Sequence, residues 1–225
     1  MRRVFVLRPQ PGASETLRKL AGRGTEAVAL PLFAIEPIEW RAPDPAEFDA
    51  LLLTSGNAVR HGGAELAKLR ALPVYGVGEA TANAAREAGF IVAQTGSAGV
   101  DALLAQIPAD LRLLHLAGEH RMDPSAAQQR LTTVAVYRAE ALPPPQLKQV
   151  QGNLVLIHSP RAGLRFAELA DAAGLDRGTI NIAAISASAA EAAGAGWAAV
   201  DVAEQPSDDS LLALAERLCH KPEGE

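Results

Sequence analysis

Short apolar runs alternate with amphipathic stretches along the whole chain. The apolar runs lack polar alternation, which is typical of strands covered on both faces. Segments rich in Ala, Leu, Glu and Arg separate most of them and predict helices, so we expect parallel sheets with helices on both faces. The predicted strands are Val4 to Leu7, Ala27 to Leu30, Ala50 to Leu53, Val74 to Val77, Phe90 to Ala93, Leu111 to Leu116, Thr133 to Tyr137, Leu154 to Ile157, Ile180 to Ile185 and Ala198 to Val202. The predicted helices are Ala58 to Leu69, Thr81 to Ala88, Ala162 to Ala173 and Asp208 to Leu218.

Capping residues support this assignment. Ser159-Pro160 and Asp123-Pro124 each have the pattern of a helix N-cap followed by Pro at the first helical position. Ser207-Asp208-Asp209 places a cap and two acids at a helix N-terminus, where negative charge is favourable. Gly89 and Gly196 are predicted to end helices in the left-handed conformation.

The sequence repeats itself. "LLLTSGNAVRHGGAEL" at Leu51 matches "LVLIHSPRAGLRFAEL" at Leu154, and "YGVGEATANAAREAGF" at Tyr75 matches "AAISASAAEAAGAGW" at Ala183. A weaker match relates "TGSAGVDALLAQI" at Thr95 to "EQPSDDSLLALAERL" at Glu204. These matches predict an internal duplication of a unit of roughly 110 residues, which explains ten strands better than a single sheet does.

Two proline-bearing stretches interrupt the pattern, "LPLFAIEPIEWRAPDP" from Leu30 and "VAVYRAEALPPP" from Val134. Their prolines, which include Pro143 to Pro145, break helices and favour extended backbone. Each stretch starts as a strand. We therefore expect the two to lie side by side as a two-stranded connector between two lobes.

Composition restricts the class of protein. With 225 residues, of which 48% are apolar and 21% charged, the chain is globular, and no apolar window is long enough to span a bilayer. The short apolar run after Met1 does not resemble a secretory signal, so we expect a cytoplasmic protein. Cys219 is the single cysteine, which excludes an internal disulfide, and the five scattered histidines give no reason to expect a metal site. A net charge of -5 disfavours duplex nucleic acid as a partner but permits an anionic small molecule.

The turn Thr54-Ser55-Gly56-Asn57 follows a buried strand and opens a helix. Its amides and hydroxyls are thereby predicted to lie at the carboxyl edge of a parallel sheet, where ligands of α/β proteins bind. The simpler interpretation is that Ser55 and Asn57 only cap a helix. A matched turn carrying Ser159 and Arg161 supports the binding interpretation, because two such turns facing a cleft would suit a polyanion with Arg161 or Arg60 as charge partner.

A second turn, Gly76 to Thr81, resembles a dinucleotide fingerprint but lacks its third glycine and a suitably placed acidic residue. We interpret it as another binding turn, with Gly78 allowing a tight bend and Thr81 offering a hydroxyl. Ser186 and Ser188 take the corresponding place in the second copy. The alternative is that Thr81 only caps a helix.

Tyr137 and Arg8 are the remaining candidates. Tyr137 lies where a strand becomes the second connector, and a phenol there could donate a proton to a departing hydroxyl. Arg8 directly follows the first strand and so is predicted at a carboxyl edge. The alternatives are a tyrosine packed against the connector and an ordinary surface arginine.

Taken in order, these motifs resemble those of the uroporphyrinogen-III synthase family, the cofactor-free cyclising enzymes of tetrapyrrole synthesis. The resemblance spans nearly the whole chain and depends on the order and spacing of motifs that are individually weak. The matching residues are Val6-Leu7-Arg8-Pro9, Pro31-Leu32-Phe33, Thr54 to Val59, Val77 to Ala82, Val136-Tyr137-Arg138, Ser159-Pro160 and Pro206-Ser207.

The resemblance implies two doubly wound, flavodoxin-like lobes joined by a two-stranded connector. Its division of the chain differs from the cut near residue 110 that the repeat alone suggests. One lobe would comprise residues 1–36 and 139–225, the other residues 40–134, with connector strands at 35–41 and 135–142. Two departures from the family pattern stand out: His158 replaces a small hydroxyl residue, and Asp123 to Leu131 is a shortened helix.

The implied substrate is hydroxymethylbilane, a linear tetrapyrrole with eight carboxylates. The implied reaction loses water and closes the macrocycle with the terminal pyrrole inverted, through a spiro intermediate, without metal or other cofactor. The family assigns Tyr137 as proton donor to the leaving hydroxyl and places Ser55, Thr81 and Ser159 in the cleft, while either Ser186 or Ser188 matches a further hydroxyl position. We expect a monomer that binds no nucleic acid or membrane, with the enzyme that supplies hydroxymethylbilane as a possible partner.

Two other functions stay open on the residues alone. A bilobed small-molecule binding protein would share the two lobes and the connector, and a nucleotide-binding regulator would use the turn from Gly76 to Thr81. The isomers formed from hydroxymethylbilane would distinguish all three.

Overall fold

The computed structural model describes residues 2–121, 123–143 and 146–220, and it divides the chain into two compact units. One unit comprises Met1–Ala34 and Ala141–Glu225, the other Ile35–Glu140. The strands are β1 (Val4–Val6), β2 (Ala27–Ala29), β3 (Phe33–Pro37), β4 (Ala50–Leu53), β5 (Val74–Val77), β6 (Val92–Gly96), β7 (Arg112–Gly118), β8 (Arg130–Ala141), β9 (Leu154–Ile157), β10 (Asn181–Ala184) and β11 (Ala199–Val202). The α-helices are α1 (Gly12–Gly22), α2 (Asn57–His61), α3 (Glu79–Glu87), α4 (Val100–Leu104), α5 (Pro160–Ala172), α6 (Ala187–Ala193) and α7 (Asp208–His220).

The discontinuous unit is built on a five-stranded parallel sheet with the order β11-β10-β9-β1-β2. The strands β1, β9 and β10 are buried along their whole length. They can be apolar at every position because the sheet is covered on both faces. Parallel pairing of β1 with β9 joins residues about 150 positions apart, so the N-terminal segment is an internal part of this unit.

The continuous unit is built on strands β4 to β8 of a six-stranded sheet with the order β3-β8-β7-β4-β5-β6. The pairs β4–β5, β4–β7, β5–β6 and β7–β8 are all parallel. At one side β3 lies beside β8, where the amide of Ile38 bonds to Val136 and that of Leu142 bonds to Leu32. Residue numbers rise on one strand as they fall on the other, so this pair is antiparallel. Of the residues predicted as connectors, Pro144 and Pro145 lie outside the described residues.

The observed structure is a mixed α/β fold with parallel sheets, as the alternation predicts, and each predicted strand overlaps an observed one. The strand predicted at Phe90 to Ala93 is displaced, because β6 runs from Val92 to Gly96. Of the helices in the described residues, none is long and apolar enough to cross a membrane.

The helix predicted from Ala58 to Leu69 is interrupted. The α-helical part ends at His61, and the segment from Gly63 to Leu69 continues as a 3-10 helix. A Cβ at Gly62 would lie 2.6 Å from the carbonyl oxygen of Ala58, and Gly63 has a positive φ of 63°. Only glycine accepts these two conditions at low cost, so the pair of glycines ends the α-helix.

The helix predicted from Asp123 to Leu131 is wrong. Residues 123–129 are irregular, and β8 begins at Arg130. Asp123 pairs with Arg121 instead of capping a helix, and Ser125 donates to Asp101 at 2.6 Å. The buried side chain of Gln129 donates to the backbone carbonyl of Leu104 at 2.9 Å. The contacts of Ser125 and Gln129 hold this irregular segment against α4.

The predicted helix end at Gly196 is also wrong, whereas that at Gly89 is confirmed. Gly89 follows α3 with a φ of 85°. In contrast, α6 ends earlier, at Ala193, and Gly194 takes the capping position with a φ of 73°. The first glycine after the helix ends it, so Gly196 lies in the following loop.

His115 is a buried polar residue in the middle of the six-stranded sheet. It is 1% exposed, its Nε2 lies 3.1 Å from Oγ1 of Thr54, and its Nδ1 has no hydrogen-bond partner among the described residues. Burial, assisted by the charge of Arg121, lowers the pKa of His115 from 6.5 to about 4. The folded protein therefore holds this imidazole neutral at pH values where an unfolded chain would protonate it.

We predict that His115 makes the protein less stable in mild acid. Between pH 6.5 and 4 the unfolded state binds the additional proton, so the free energy of unfolding falls as the pH decreases, by up to an amount on the order of 3 kcal/mol. His115→Gln should make this loss clearly shallower in urea titrations across that pH range, and the remainder should come in part from His61 and His158, whose pKa values are also lowered by burial. His120→Gln, which changes an exposed side chain, should behave like the wild type. An equally steep loss in the His115→Gln protein would contradict this assignment.

Candidate active site

The turn after β4 presents polar groups at the carboxyl edge of the six-stranded sheet. The amide of Asn57 donates to Oγ of Ser55 at 3.2 Å, and the Arg60 guanidinium contacts Oδ1 of Asn57 at 3.4 Å. Gly56 lies close to α3, since a Cβ there would be 3.2 Å from the Cβ of Ala84. The turn is thus fixed by a glycine contact and by local hydrogen bonds, with Ser55 and Asn57 half-buried.

The turn after β5 lies at the same edge, because β4 and β5 are parallel neighbours. Gly78 has a φ of 81°, and its amide donates to Gly96 at 2.7 Å. This left-handed residue turns the chain directly into α3. Thr81 lies in the first turn of that helix and is largely buried, with 6% of its surface exposed.

Tyr137 joins this group from the other side of β4. It lies opposite Gly118, the last residue of β7, at a register irregularity, and its carbonyl accepts from the amide of Glu119 at 2.9 Å. A Cβ at Gly118 would be 2.8 Å from the Tyr137 ring, and the ring of His61 is 6.4 Å away between centroids. Within the continuous unit the fold therefore places Ser55, Gly56, Asn57, Gly78, Thr81 and Tyr137 at one sheet edge.

The matched turns of the other unit lie after β9 and β10, which are also parallel neighbours. Ser159 caps α5 by accepting from the amide of Ala162 at 3.2 Å. Ser186 caps α6 by accepting from Ala189 at 3.3 Å, and its Oγ lies 3.0 Å from that of Ser188. Ser186 is half-buried and Ser188 is exposed. A capping hydroxyl accepts one hydrogen bond and keeps its own proton for a further acceptor, so capping and ligand binding are compatible.

Arg161 follows Ser159 in the first turn of α5. Its guanidinium carbon lies 4.5 Å from the centroid of the Phe33 ring. Stacking on an aromatic face is a favourable arrangement for arginine and restricts its orientation. In the sequence Phe33 is only one residue of a motif, and this contact gives it a physical role.

Arg8 also lies at the carboxyl edge of the five-stranded sheet, but it is ion-paired. Its Nη1 lies 3.0 Å from Oδ1 of Asp208 and 3.4 Å from Oγ1 of Thr16. Oδ2 of Asp208 accepts from Lys19 at 3.0 Å. From the sequence alone, Asp208 is identified only as an acid at the start of a predicted helix, and Lys19 is not identified as a site residue.

His158, which follows β9, lies beside the same carboxylate. Its Nε2 is 3.4 Å from Oδ1 of Asp208, yet neither ring nitrogen forms a hydrogen bond within the described residues. Its side chain is 7% exposed, and burial lowers the pKa of the imidazole despite the nearby carboxylate. The pKa of Asp208 is held far below its usual range, first by the close approach of His158, which at 3.4 Å is long for a hydrogen bond, and then by Lys19 and Arg8. No group of three or more metal-ligating side chains occurs in the part of the chain that the structure describes.

Comparison with known proteins identifies the family. The model of the family described as "Uroporphyrinogen-III synthase HemD" matches residues 14–213, which is far more than half of the chain. The chain belongs to the uroporphyrinogen-III synthase family. Its members are cyclising lyases of tetrapyrrole biosynthesis, so the function expected from the sequence resemblance is confirmed. A search of curated proteins found no significant match.

Solved uroporphyrinogen-III synthases support the fold. The structure of uroporphyrinogen-III synthetase from Helicobacter pylori 26695 is 18% identical and covers 97% of this chain and 100% of its own, with a TM-score of 0.62. A mutant uroporphyrinogen III synthase from the extremely thermophilic bacterium Thermus thermophilus is 17% identical and covers 98% and 100%, with a TM-score of 0.51. The family membership also decides against the nucleotide-binding and purely ligand-binding alternatives.

We predict that Gly163→Ala disturbs the turn of Ser186. Gly163 lies in α5 against α6, and an added Cβ would be 2.7 Å from the carbonyl oxygen of Ala189, which is rigid backbone. Overpacking of this kind costs about 1–3 kcal/mol. The free energy of unfolding in urea should fall by that amount. Gly22→Ala, also in a helix but with nothing within 4 Å, is the matched control and should not destabilise the protein. Equal effects of the two changes would mean that α6 can simply move.

Proposed function

We propose that this chain forms uroporphyrinogen III from hydroxymethylbilane mainly by holding the substrate in one shape. What supports this is the set of hydroxyls and turn amides at the carboxyl edge of each sheet, which can donate hydrogen bonds to the carboxylates of the substrate. Ser55, Asn57 and Thr81 supply them in one unit, and Ser159 and Ser186 in the other. Ser188 and Arg161 would add a second hydroxyl and a charge.

Catalysis by orientation suits this reaction. The linear tetrapyrrole closes spontaneously without ring inversion, so the enzyme must favour one mode of closure over another. Holding the reacting ends in a near-attack geometry can contribute about 7–11 kcal/mol without a covalent intermediate on the protein. Thr54 and His115 form a hydroxyl–imidazole pair of the kind that a nucleophile and base require, but His115 is buried within the sheet and its Nδ1 lacks an orienting partner among the described residues.

Tyr137 is proposed to donate a proton to the hydroxyl group as it leaves. The carbon–oxygen bond then breaks and its electron pair leaves with the oxygen as water, while the nitrogen lone pair of the adjacent pyrrole stabilises the methylene cation. The proton released when the ring closes can return to the Tyr137 phenolate. The position of the ring supports this role, because the glycine at 118 leaves room for it and the strand register holds its backbone. A donor of this kind assists departure and contributes less than the orientation of the substrate.

The two units are proposed to be a flavodoxin-like duplication. When the repeats align β4, β5 and β6 with β9, β10 and β11, the sheet orders β6-β5-β4-β7-β8 and β11-β10-β9-β1-β2 correspond strand by strand. In this alignment β1 and β2 match β7 and β8, so one copy takes its last two strands from the N-terminus. This supports lobes at residues 1–36 with 139–225 and at 40–134, joined through 35–41 and 135–142.

The primary test is the isomer produced. The purified chain, given freshly prepared hydroxymethylbilane, should yield predominantly the type III ring after oxidation and separation of the porphyrins. Heat-denatured protein in the same buffer is the control and should yield the uninverted type I ring. Type I product alone from the active preparation would overturn the proposed function.

We predict that Tyr137→Phe lowers kcat by about 10²-fold, since it removes one proton donor, and leaves product affinity within about twofold. Gly118→Ala should also lower kcat, because the new Cβ would displace the Tyr137 ring. Tyr75→Phe, which changes the other tyrosine of the chain, is the matched control and should retain wild-type turnover. Parallel losses of kcat and product affinity in Tyr137→Phe would assign the residue to binding.

A further inference from the structure

A compact charge cluster lies at the carboxyl edge of the five-stranded sheet. Arg8 follows β1, and Lys19 lies in the last turn of α1. Both contact the carboxylate of Asp208 at the start of α7, each at 3.0 Å and each through a different oxygen, and Lys19 also lies 3.2 Å from Oδ1 of the more exposed Asp209. The cluster brings together residues about 200 positions apart in the sequence. It lies at the same sheet edge as the turns of Ser159 and Ser186.

The geometry around Asp208 is that of a bound carboxylate. One cation approaches each oxygen, as expected when a guanidinium and an ammonium hold an anionic ligand. A Cβ at position 12 would lie 2.5 Å from Nε of Arg8, so Gly12 provides the space for the guanidinium. With its pKa held far below the usual range, Asp208 is ionised at neutral pH and cancels charge that an incoming anion would otherwise meet.

We propose that Arg8 and Lys19 form a carboxylate-binding subsite, and that Asp208 occupies it as an internal competitor until a substrate carboxylate displaces it. This inference rests on the proposed function, because it assigns one carboxylate of the polyanionic substrate to these two cations. The side chains of Arg8 and Lys19 are 31% and 40% exposed, so a ligand can reach them. Ion pairs with such exposure contribute little stability, and exchanging one carboxylate for another is correspondingly cheap.

His158 gives independent support. It is a nearly buried imidazole without a hydrogen bond among the described residues, although a carboxylate oxygen lies 3.4 Å from its Nε2. A buried polar group normally has a partner, and an exception calls for an explanation. A small rotation of Asp208 away from Arg8 would let the neutral ring donate its N–H to the displaced carboxylate. His158 would then be the partner of Asp208 in the ligand-bound state.

Asp208→Asn tests the subsite. The neutral amide competes poorly for Arg8 and Lys19, so the stable octacarboxylate uroporphyrin III should bind about three- to tenfold more tightly in fluorescence titrations at low salt. Ser207 supplies the helix cap through the amide of Ser210, so α7 should still form. The matched control is Glu216→Gln on the same helix. It removes the same charge and contacts Arg23, outside the cluster, so its affinity should stay within about twofold of wild type. Unchanged or weaker binding by Asp208→Asn would overturn the proposal and would mean that the ion pairs of Asp208 only stabilise the fold.

A second variant decides the matter should Asp208→Asn fail to fold. Lys19→Gln alters a half-exposed side chain and should weaken porphyrin binding at least about threefold, whereas unchanged affinity would overturn the proposal. Asp208→Asn should increase porphyrin affinity less in a protein that already carries Lys19→Gln than it does in the wild type. Failure of the proposed function is a separate result, because it appears as absent type III product in the wild type. A wild type that makes the type III ring while both variants bind like it would contradict the subsite alone.

Discussion

Parallel strand pairing determines where the chemistry of this chain can lie. Strands that all run in one direction place their carboxyl ends at one edge of each sheet, and the chain leaves that edge through turns that open helices. The turns after β4 and β5 and the end of β7 lie at the carboxyl edge of the six-stranded sheet. The turns after β1, β9 and β10 lie at the carboxyl edge of the five-stranded sheet. Polar residues scattered along the sequence are thereby gathered into two groups, one in each compact unit.

The same turns serve structure and binding with the same atoms. Ser159 and Ser186 satisfy amides at helix N-termini, which the fold needs whether or not a ligand is present. The Ser159 hydroxyl keeps a proton that can be donated to a carboxylate, and the hydrogen-bonded pair of Ser186 and Ser188 has one such proton left. A capping interpretation and a binding interpretation of these serines are therefore not exclusive, and a variant at either position would affect both stability and binding.

The internal strands were predictable because continuous apolar runs carry a local signal. The runs that form β4, β5 and β9 coincide with the predicted strands, whereas β6, an edge strand with a mixed pattern, was displaced. Local capping patterns were less dependable. Asp123 forms an ion pair with Arg121 and caps no helix. Gly62 and Gly63 end a helix because a side chain at position 62 would meet the backbone, which the helical pattern did not indicate.

Residues at the candidate site divide in a similar way. Those in turns directly after strands, such as Ser55 and Ser159, follow from the strand pattern, although their roles in binding stay predictions. The pairing of Arg8 with Asp208 could not be predicted, because it joins two segments at opposite ends of the chain. The Arg161–Phe33 contact is hidden for the same reason. The sequence indicated which residues could bind an anion but not which of them already hold an internal one.

The central claim is that hydroxyls and amides at the two carboxyl edges hold the carboxylates of the tetrapyrrole. A crystal structure of the protein with the cyclised product bound tests it most directly. The account predicts that product carboxylates accept hydrogen bonds from the turns after β4, β5, β9 and β10, with the Tyr137 hydroxyl facing the macrocycle. A product bound at the opposite sheet edges or on the outer helix faces, with these turns free of it, would contradict the account.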